Sequence, residues 1–323
     1  MIKNKRGLAV IATIMAFAVM TTAGCGTKEN TGKENTTKEA TENDVTAESE
    51  AVEWPEEITL VQMPNENNPN AGQKHDEFRQ ELEEYLGIKV NEMEGTDYSV
   101  GIEGMASGNI DVMLVSPMSY YQAKERAGAE LLVSTPMADD YYTVFITQAD
   151  NEEINSLEDL KGKSFAFVDQ ASSSGYMYPK AKLVKDLDLN SDLLENSDYF
   201  FSTVAFAGQH QTVATGVSMG DYDAGAVAAS VLEQMEEAGA IDASTIKIID
   251  QTDTIPNPAY VIRGDLPEDL KSKIKEFFLS YDNEDYFEQI HGDKSIRFVD
   301  VTEDDYKIIY DTLEALGIDG EAE

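Results

Sequence analysis

The chain alternates strand-like and helix-like segments from residue 57 to its C-terminal end. Short runs rich in β-branched and aromatic residues, such as EITLVQ and SFAFVD, alternate with stretches whose apolar residues recur at helical spacing. One such stretch places Phe78, Leu82 and Leu86 on one face and is followed by Gly87. The alternation predicts an α/β architecture with mostly parallel sheets, in which ligands bind beyond the carboxyl ends of the strands.

The N-terminal segment has the pattern of a secretory signal. Three basic residues stand within the first six, Gly7–Met20 is almost wholly apolar, and small residues lead to Cys25. The apolar run is shorter than a membrane-spanning helix requires. We therefore expect residues 1–24 to be a signal peptide and Cys25 to be acylated. The pattern resembles the bacterial lipobox, although Thr22 stands where Leu is usual. An uncleaved membrane anchor is the alternative.

Charge and polarity restrict what the rest of the chain can bind. Residues 25–53 are overwhelmingly polar, which predicts a disordered tether. The chain has 24 basic and 62 acidic residues and a formal charge of −38, and removing residues 1–24, which carry three basic and no acidic residues, leaves −41. Such a charge repels nucleic acid and anionic lipid. We expect a monomeric, soluble body anchored by lipid on Cys25 at the extracytoplasmic face of the cell membrane.

Three consecutive serines form a candidate anion site. The segment VDQASSSGYMYP, residues 168–179, follows the strand SFAFVD and precedes a helical stretch. A helix start offers unpaired N–H groups and a partial positive charge, to which Ser172, Ser173 and Ser174 add hydroxyl donors. The run therefore predicts an anion site built without Lys or Arg. The serines are equally compatible with a plain helix cap, and a cap at Ser172 requires that the helix begins later or kinks at Pro179.

Four segments resemble, in order, the motifs of one family. FVDQASSSGYMYP (167–179) resembles the FVDP-STSGYL-P signature of the phosphate, phosphite and phosphonate substrate-binding proteins of ABC transporters. The other three are GTDYSVGIEGM (95–105), AFAGQHQTVATGVSMGDYDAGAV (205–227) and TIPNPAYVIRGDLP (254–267). The resemblance covers about residues 57–300.

The resemblance implies a bilobed type II periplasmic-binding-protein fold. Two α/β lobes with mixed, mostly parallel sheets would be joined by two crossover strands, near residues 141–147 and 252–260. Residues 55–143 and 257–323 would form the first lobe, and residues 144–256 the second. A ligand would be trapped in the cleft between them and passed to a membrane permease driven by an ATPase.

The resemblance also implies a set of ligand contacts. Ser172, Ser173 and Ser174 would hold the P–O oxygens. Asp223, placed at the cleft end of a strand, would accept a proton from a monoprotonated ligand. The other implied contacts are Tyr98, Tyr141 (or Tyr142 in its place), His210 and Asn257.

The implied ligand is a small phosphorus oxyanion without an amine. Binders of aminoalkylphosphonates are expected to place acids against the amine, whereas this chain has Ser230 and Asn257 at the corresponding positions. We therefore expect phosphonate, phosphite or phosphate to bind.

Two other functions remain open. A binding protein for an amino acid would clamp a carboxylate with Arg, but none of the four arginines after the signal falls in a cleft motif. A serine hydrolase could use Ser174, His210 and Asp223, but the G-x-S-x-G elbow is absent. His75 and His291 stand on polar stretches that we expect to be exposed. With one cysteine and no calcium-loop pattern, we expect no metal, no cofactor and no enzymatic activity.

Overall fold

The computed structural model describes residues 53–62, 71–95, 97–136 and 141–318. The predicted signal peptide, Cys25 and all but the last residue of the predicted tether lie outside these ranges. None of the helices within them combines the length and hydrophobicity that a bilayer span requires.

The first of two five-stranded sheets is built from both ends of the described chain. In spatial order its strands are β2 (Lys89–Glu94), β1 (Glu57–Gln62), β3 (Val112–Val115), β10 (Ala259–Ile262) and β4 (Glu130–Ser134). β1 pairs in parallel with β2 and β3, whereas β10 lies antiparallel between β3 and β4. Four strands therefore share one direction.

The second sheet repeats this arrangement with the middle of the chain. Its strands, in spatial order, are β7 (Thr203–Phe206), β6 (Ser164–Phe167), β8 (Ala224–Ala228), β5 (Thr143–Gln148) and β9 (Ile246–Gln251). β6 pairs in parallel with β7 and β8, and β5 is antiparallel to β8 and β9. Two sheets of the same topology confirm the predicted bilobed α/β fold.

Helices connect the strands, as parallel pairing requires. The helix α3 shows how local sequence sets their ends: the Ser116 side chain caps its start, Pro117 occupies its first position, and Gly128 ends it in the left-handed conformation. The helices are α1 (Ala71–Leu86), α2 (Tyr98–Ala106), α3 (Pro117–Ala127), α4 (Tyr178–Leu187), α5 (His210–Met219), α6 (Ala229–Glu237), α7 (Glu268–Ser280), α8 (Glu284–His291) and α9 (Lys307–Ala315).

The chain passes between the sheets twice, between β4 and β5 and between β9 and β10. The two crossing segments are hydrogen-bonded to each other. The Thr252 N–H donates to the Thr143 carbonyl at 3.0 Å, and the Thr143 N–H donates to Thr252 Oγ1 at 2.9 Å. The Ile255 N–H donates to the Tyr141 carbonyl at 2.6 Å. A relative motion of the lobes must therefore be accommodated by two segments that are paired with each other.

One apolar cluster contains residues of both lobes. Tyr306, Ile309 and Leu313, from the start and buried face of α9, belong to the same buried cluster as Met177 and Tyr178 at the start of α4. The sequence predicts this last helix over about residues 303–316. The structure divides that stretch into a 3₁₀ turn, Glu303–Tyr306, and α9.

An aromatic cluster fills the outer part of the first lobe and includes two histidines. The ring of His75 lies edge-on to Tyr286 at 5.8 Å between centroids, and His291 stacks on Phe287 at 6.0 Å. Burial lowers the pKa of both histidines to about 4. The expectation that His75 and His291 are exposed is therefore wrong, because helix packing leaves both half-buried against aromatic rings that their polar sequence neighbours do not reveal.

Candidate anion-binding site

Ser172, Ser173 and Ser174, called the serine run below, lie between the end of β6 and the start of α4. Ser172 caps a π-helical turn, Ser173–Met177, by accepting a hydrogen bond from the Gly175 N–H at 3.0 Å. α4 begins only after this turn, so Pro179 falls in its first turn, where a missing N–H breaks no helical hydrogen bond. Of the two alternatives that Pro179 raises, the later helix start is correct.

Gly175 allows the loop to fold back onto the strand before it. A Cβ at this position would stand 2.3 Å from Val168 Cγ2 and 2.9 Å from Ser172 Oγ. Both distances are shorter than van der Waals contact. Only glycine permits this approach, which brings the three hydroxyl groups into one buried place: Ser172 is 1% exposed and Ser173 and Ser174 are 0% exposed.

Ser173 contacts the first lobe directly. Its Oγ accepts a hydrogen bond from the Met118 N–H at 2.7 Å and donates to Ser116 Oγ at 3.1 Å. Both partners stand at the start of α3, whose first N–H groups have no partner inside the helix. The Ser119 hydroxyl of the same turn donates to the Ala171 carbonyl at 2.7 Å. Two helix starts, one from each lobe, therefore meet at the serine run.

Ser174 is contacted by an aromatic hydroxyl and an imidazole. The Tyr141 hydroxyl donates to Ser174 Oγ at 2.8 Å, and His210 Nε2 lies 3.5 Å from the same atom. The Tyr142 side chain is partly buried and packs against the apolar core of the second lobe. Of the two tyrosines that the sequence leaves open, Tyr141 is therefore the one that reaches the serine run.

The tautomer of His210 follows from its other ring nitrogen. His210 Nδ1 accepts a hydrogen bond from the Ala228 N–H at 3.0 Å, so in the neutral ring the proton resides on Nε2. Burial lowers the pKa of His210 to about 4. At neutral pH this side chain is an uncharged donor facing Ser174.

Tyr98 completes the cluster from the first lobe. It is the first residue of α2, which Asp97 caps by accepting from the Val100 N–H at 2.9 Å. Its hydroxyl lies near Ser172, and its pKa is raised, chiefly by burial and also by Tyr141. Burial likewise raises the pKa of Tyr141. Both phenols therefore remain protonated at neutral pH and can donate hydrogen bonds.

The predicted position of Asp223 is wrong. This residue precedes β8 rather than following it, and its carboxylate accepts from the Ser164 N–H at 2.7 Å and the Ser164 hydroxyl at 2.8 Å. β6 and β8 are parallel, and Ser164 and Asp223 stand at their N-terminal ends. The serine run follows the C-terminal end of β6, so this pair lies at the opposite ends of the strands from the run. The DAGAV motif locates the strand correctly but does not say which of its ends faces the cleft.

Asn257 lies in the second crossing segment, half-buried. Its carbonyl accepts a hydrogen bond from the Tyr306 hydroxyl of the first lobe. This hydrogen bond ties the second crossing segment to the start of α9.

Lys180 and the four arginines of the described ranges have partners other than Ser172, Ser173 and Ser174. Lys180, one turn into α4, is buried and donates to Glu195 at 2.7 Å and to the Tyr176 hydroxyl at 3.0 Å. The arginines are paired as follows: Arg79 with Glu83, Arg126 with Glu103, Arg263 with Asp111 and Asp265, and Arg297 with the carbonyl of Lys294. The described residues also contain no group of three or more His, Cys, Asp or Glu arranged to hold a metal ion.

The family model described as ABC transporter, phosphonate, periplasmic substrate-binding protein matches residues 60–306. The chain belongs to this family. It is 28% identical over 242 residues to the phosphate-import protein PhnD of Mycolicibacterium smegmatis, covering 73% of this chain and 75% of that protein. It is 29% identical over 211 residues to the phosphonates-binding periplasmic protein of Escherichia coli, covering 63% of this chain and 60% of that protein.

A solved structure shares the fold. PhnD1 of Prochlorococcus marinus in complex with methylphosphonate superposes with a TM-score of 0.69 at 20% identity, covering 82% of this chain and 99% of that one. The two lobes described above thus have the fold of a periplasmic binding protein.

The start of α3 is the part of this site that sequence reasoning missed. Ser116 followed by Pro117, directly after the buried strand β3, is a helix-start signal of the same kind as the serine run. That signal locates a helix start, but pairing with Ser173 requires the two lobes to face each other. Only the tertiary structure supplies that juxtaposition.

Proposed function

We propose that this protein is the extracytoplasmic substrate-binding component of an ABC importer and captures a phosphorus oxyanion between its two lobes. One observation carries the proposal: three buried serine hydroxyls at a helix start are contacted by neutral donors from both lobes. The proposed ligand contacts are Tyr98, Tyr141, Ser172, Ser173, Ser174, His210 and Asn257.

Neutral donors suffice to hold an anion in such a place. A hydrogen bond from a fixed donor to a charged group contributes about 1.5–3 kcal/mol net, and more in the low dielectric of a closed cleft. The start of a helix adds roughly half a positive charge. The run therefore needs no lysine or arginine, which agrees with the pairing of the arginines elsewhere.

Closure of the lobes over the ligand is the proposed transport step. A ligand that contacts both lobes binds the closed form more tightly than the open form and shifts the equilibrium towards closure. Two hydrogen bonds between the lobes can form only in a closed arrangement. They run from the Met118 N–H to Ser173 Oγ and from the Ser119 hydroxyl to the Ala171 carbonyl. The closed form would then be recognised by the permease and its ATPase.

We further propose the remaining features predicted from the sequence. The signal peptide would be removed and Cys25 acylated, so that a polar tether holds a monomer at the outer face of the membrane. The lobe boundaries would be residues 55–143 with 257–323, and 144–256. We propose no catalytic role, because an Nε2–H on His210 leaves no base to activate Ser174, and Asp223 binds Ser164.

Isothermal titration calorimetry against a panel of ligands tests the proposal. We expect phosphite or methylphosphonate to bind, and to bind more tightly than 2-aminoethylphosphonate, sulfate or arginine. Ligand at 100 times its Kd should raise the free energy of unfolding by about 2.7 kcal/mol. Tight binding of an amino acid with no response to any phosphorus oxyanion would replace this function by that of another solute-binding protein.

A further inference from the structure

Three serine hydroxyls form a hydrogen-bonded chain that runs from one lobe to the other and back. The Ser173 hydroxyl donates to Ser116 Oγ at 3.1 Å, and Ser116 Oγ lies 3.1 Å from Ser119 Oγ. The Ser119 hydroxyl in turn donates to the Ala171 carbonyl at 2.7 Å. Ser116 and Ser119 stand at the start of α3 in the first lobe, whereas Ala171 and Ser173 follow β6 of the second sheet. The chain therefore joins the lobes on both sides of Ser172.

Ser119 holds the peptide group that leads into the serine run. Its side chain is buried, with 2% exposed. The peptide between Ala171 and Ser172 is bonded at both ends: the Ser172 N–H donates to the Asp169 carbonyl at 2.9 Å, and the Ala171 carbonyl accepts from Ser119. The first of these bonds lies within the second lobe, and the other comes from the first lobe. Ser119 therefore fixes the start of the serine run from across the cleft.

The Ser119 hydroxyl is not placed as a donor to a ligand. A serine has a single hydroxyl hydrogen, and Ser119 directs it to the Ala171 carbonyl. An anion is held by hydrogen-bond donors, which the proposed function assigns to other side chains. Ser119 therefore acts on a ligand through the loop that it holds and through the closed arrangement of the lobes.

The lobes also share an apolar contact, in which α9 packs near the start of α4. Ile309 and Leu313 belong to the same buried cluster as Met177 and Tyr178. Apolar packing is non-directional, whereas a hydrogen bond fixes the distance and the direction between two atoms. The bond from Ser119 is therefore suited to set how the serine run stands against the first lobe.

We infer that Ser119 is a positioning residue, which strengthens the binding of every ligand of the cleft by holding the lobes closed and takes no part in choosing among ligands. The inference rests on the proposed function and goes beyond its set of ligand contacts. A hydrogen bond made only in the closed form stabilises each closed complex by the same amount, whichever anion is bound. Removing it should therefore raise the Kd of all ligands by one common factor.

Calorimetric titration of Ser119→Ala with methylphosphonate, phosphite and phosphate tests this role. Loss of one neutral hydrogen bond should raise the Kd about 2- to 12-fold. The factor should agree within about twofold among the ligands that bind, so that their order of affinity stays that of wild type. A smaller rise in Kd, or factors that differ more widely between ligands, overturns the inference and leaves the proposed function intact.

Stopped-flow kinetics separate positioning from a role in folding alone. The Ser119 bond forms as the lobes close over a ligand, so its loss should raise the dissociation rate and leave the association rate within about twofold of wild type. Thr147→Val is the matched control, because it removes a buried hydroxyl that donates to the Asp223 carbonyl at 2.6 Å within one lobe. The control should lower the free energy of unfolding and keep the wild-type dissociation rate. A control that speeds dissociation as much as Ser119→Ala overturns the inference.

Ser119→Cys is a second variant that leaves no cavity. A thiol fills nearly the same space but is a weak donor, so the Kd should lie above that of wild type and no higher than that of Ser119→Ala. Wild-type affinity in Ser119→Cys would assign the loss in Ser119→Ala to packing and overturn the inference. Failure of the wild-type protein to bind any of the three ligands instead contradicts the proposed function, so the two failures are distinguishable.

Discussion

Removing the Ser174 hydroxyl should weaken ligand binding without removing the fold. Ser174 is 0% exposed, and its hydrogen is left for a ligand because the Tyr141 hydroxyl donates to its oxygen at 2.8 Å. Ser174→Ala deletes one hydrogen bond to a charged group, worth about 1.5–3 kcal/mol. Since every 1.4 kcal/mol is tenfold, the Kd for methylphosphonate should rise about 10- to 150-fold.

Calorimetry on three proteins tests this value. Wild type, Ser174→Ala and the control Ser218→Ala are titrated with methylphosphonate under the same conditions. Ser218 serves as the control because it is a half-buried hydroxyl of the same lobe, near the C-terminal end of α5, that contacts Thr245 Oγ1 at 2.7 Å. We expect the control to retain the wild-type Kd.

Unfolding measurements separate binding from stability. Ser174→Ala also leaves the buried Tyr141 hydroxyl without its acceptor, which costs about 1–3 kcal/mol of the free energy of unfolding. Denaturant unfolding without ligand shows whether the variant is folded at the titration temperature. A folded Ser174→Ala protein whose Kd changes less than about threefold would refute the role given to this hydroxyl.

Three further predictions concern the loop, the histidines and the charge. Gly175→Ala should abolish methylphosphonate binding in a protein that remains folded, because its Cβ would stand 2.3 Å from Val168 Cγ2; wild-type affinity in calorimetry would contradict the close approach. The pKa of His291 falls from 6.5 unfolded to about 4 folded, so the unfolded state binds protons first and stability decreases as the pH falls through this window. In urea unfolding, His291→Gln should reduce that decrease by up to about 3 kcal/mol, and an unchanged pH dependence would show that the ring is not desolvated. Finally, raising the ionic strength from about 0.01 to 0.1 M shortens the Debye length from about 30 to 10 Å and so screens the repulsion between the acidic protein and an anion. The association rate of methylphosphonate in stopped-flow measurements should therefore rise. A falling rate would indicate that basic residues steer the ligand to the site.

Local patterns predicted the parts of the fold that depend on neighbouring residues. The alternation of strands and helices and the capping role of Ser172 follow from side-chain periodicity and capping chemistry, both of which act over a few residues. The family resemblance added the bilobed arrangement and the identity of Tyr141 and His210 as residues near the run. The structure adds that Tyr141, not Tyr142, reaches Ser174.

Predictions failed where the answer depends on direction or on distant packing. A strand motif around Asp223 gives no information about which strand end faces the cleft, and hydrogen bonding to Ser164 places it at the far edge. His75 and His291 were expected at the surface, but α1 and α8 bring them against Tyr286. The spacing of apolar residues in one helix does not show which of its polar residues a neighbouring helix will cover.

The crystal structure with methylphosphonate bound is the most direct test of the central claim, that neutral hydroxyl and imidazole donors hold the anion. The phosphonate oxygens should lie about 2.6–3.2 Å from donors of the serine run and from His210 Nε2, with both lobes in contact with the ligand. A ligand bound elsewhere, or one gripped by a guanidinium or ammonium group in place of Ser172–Ser174, would contradict the claim.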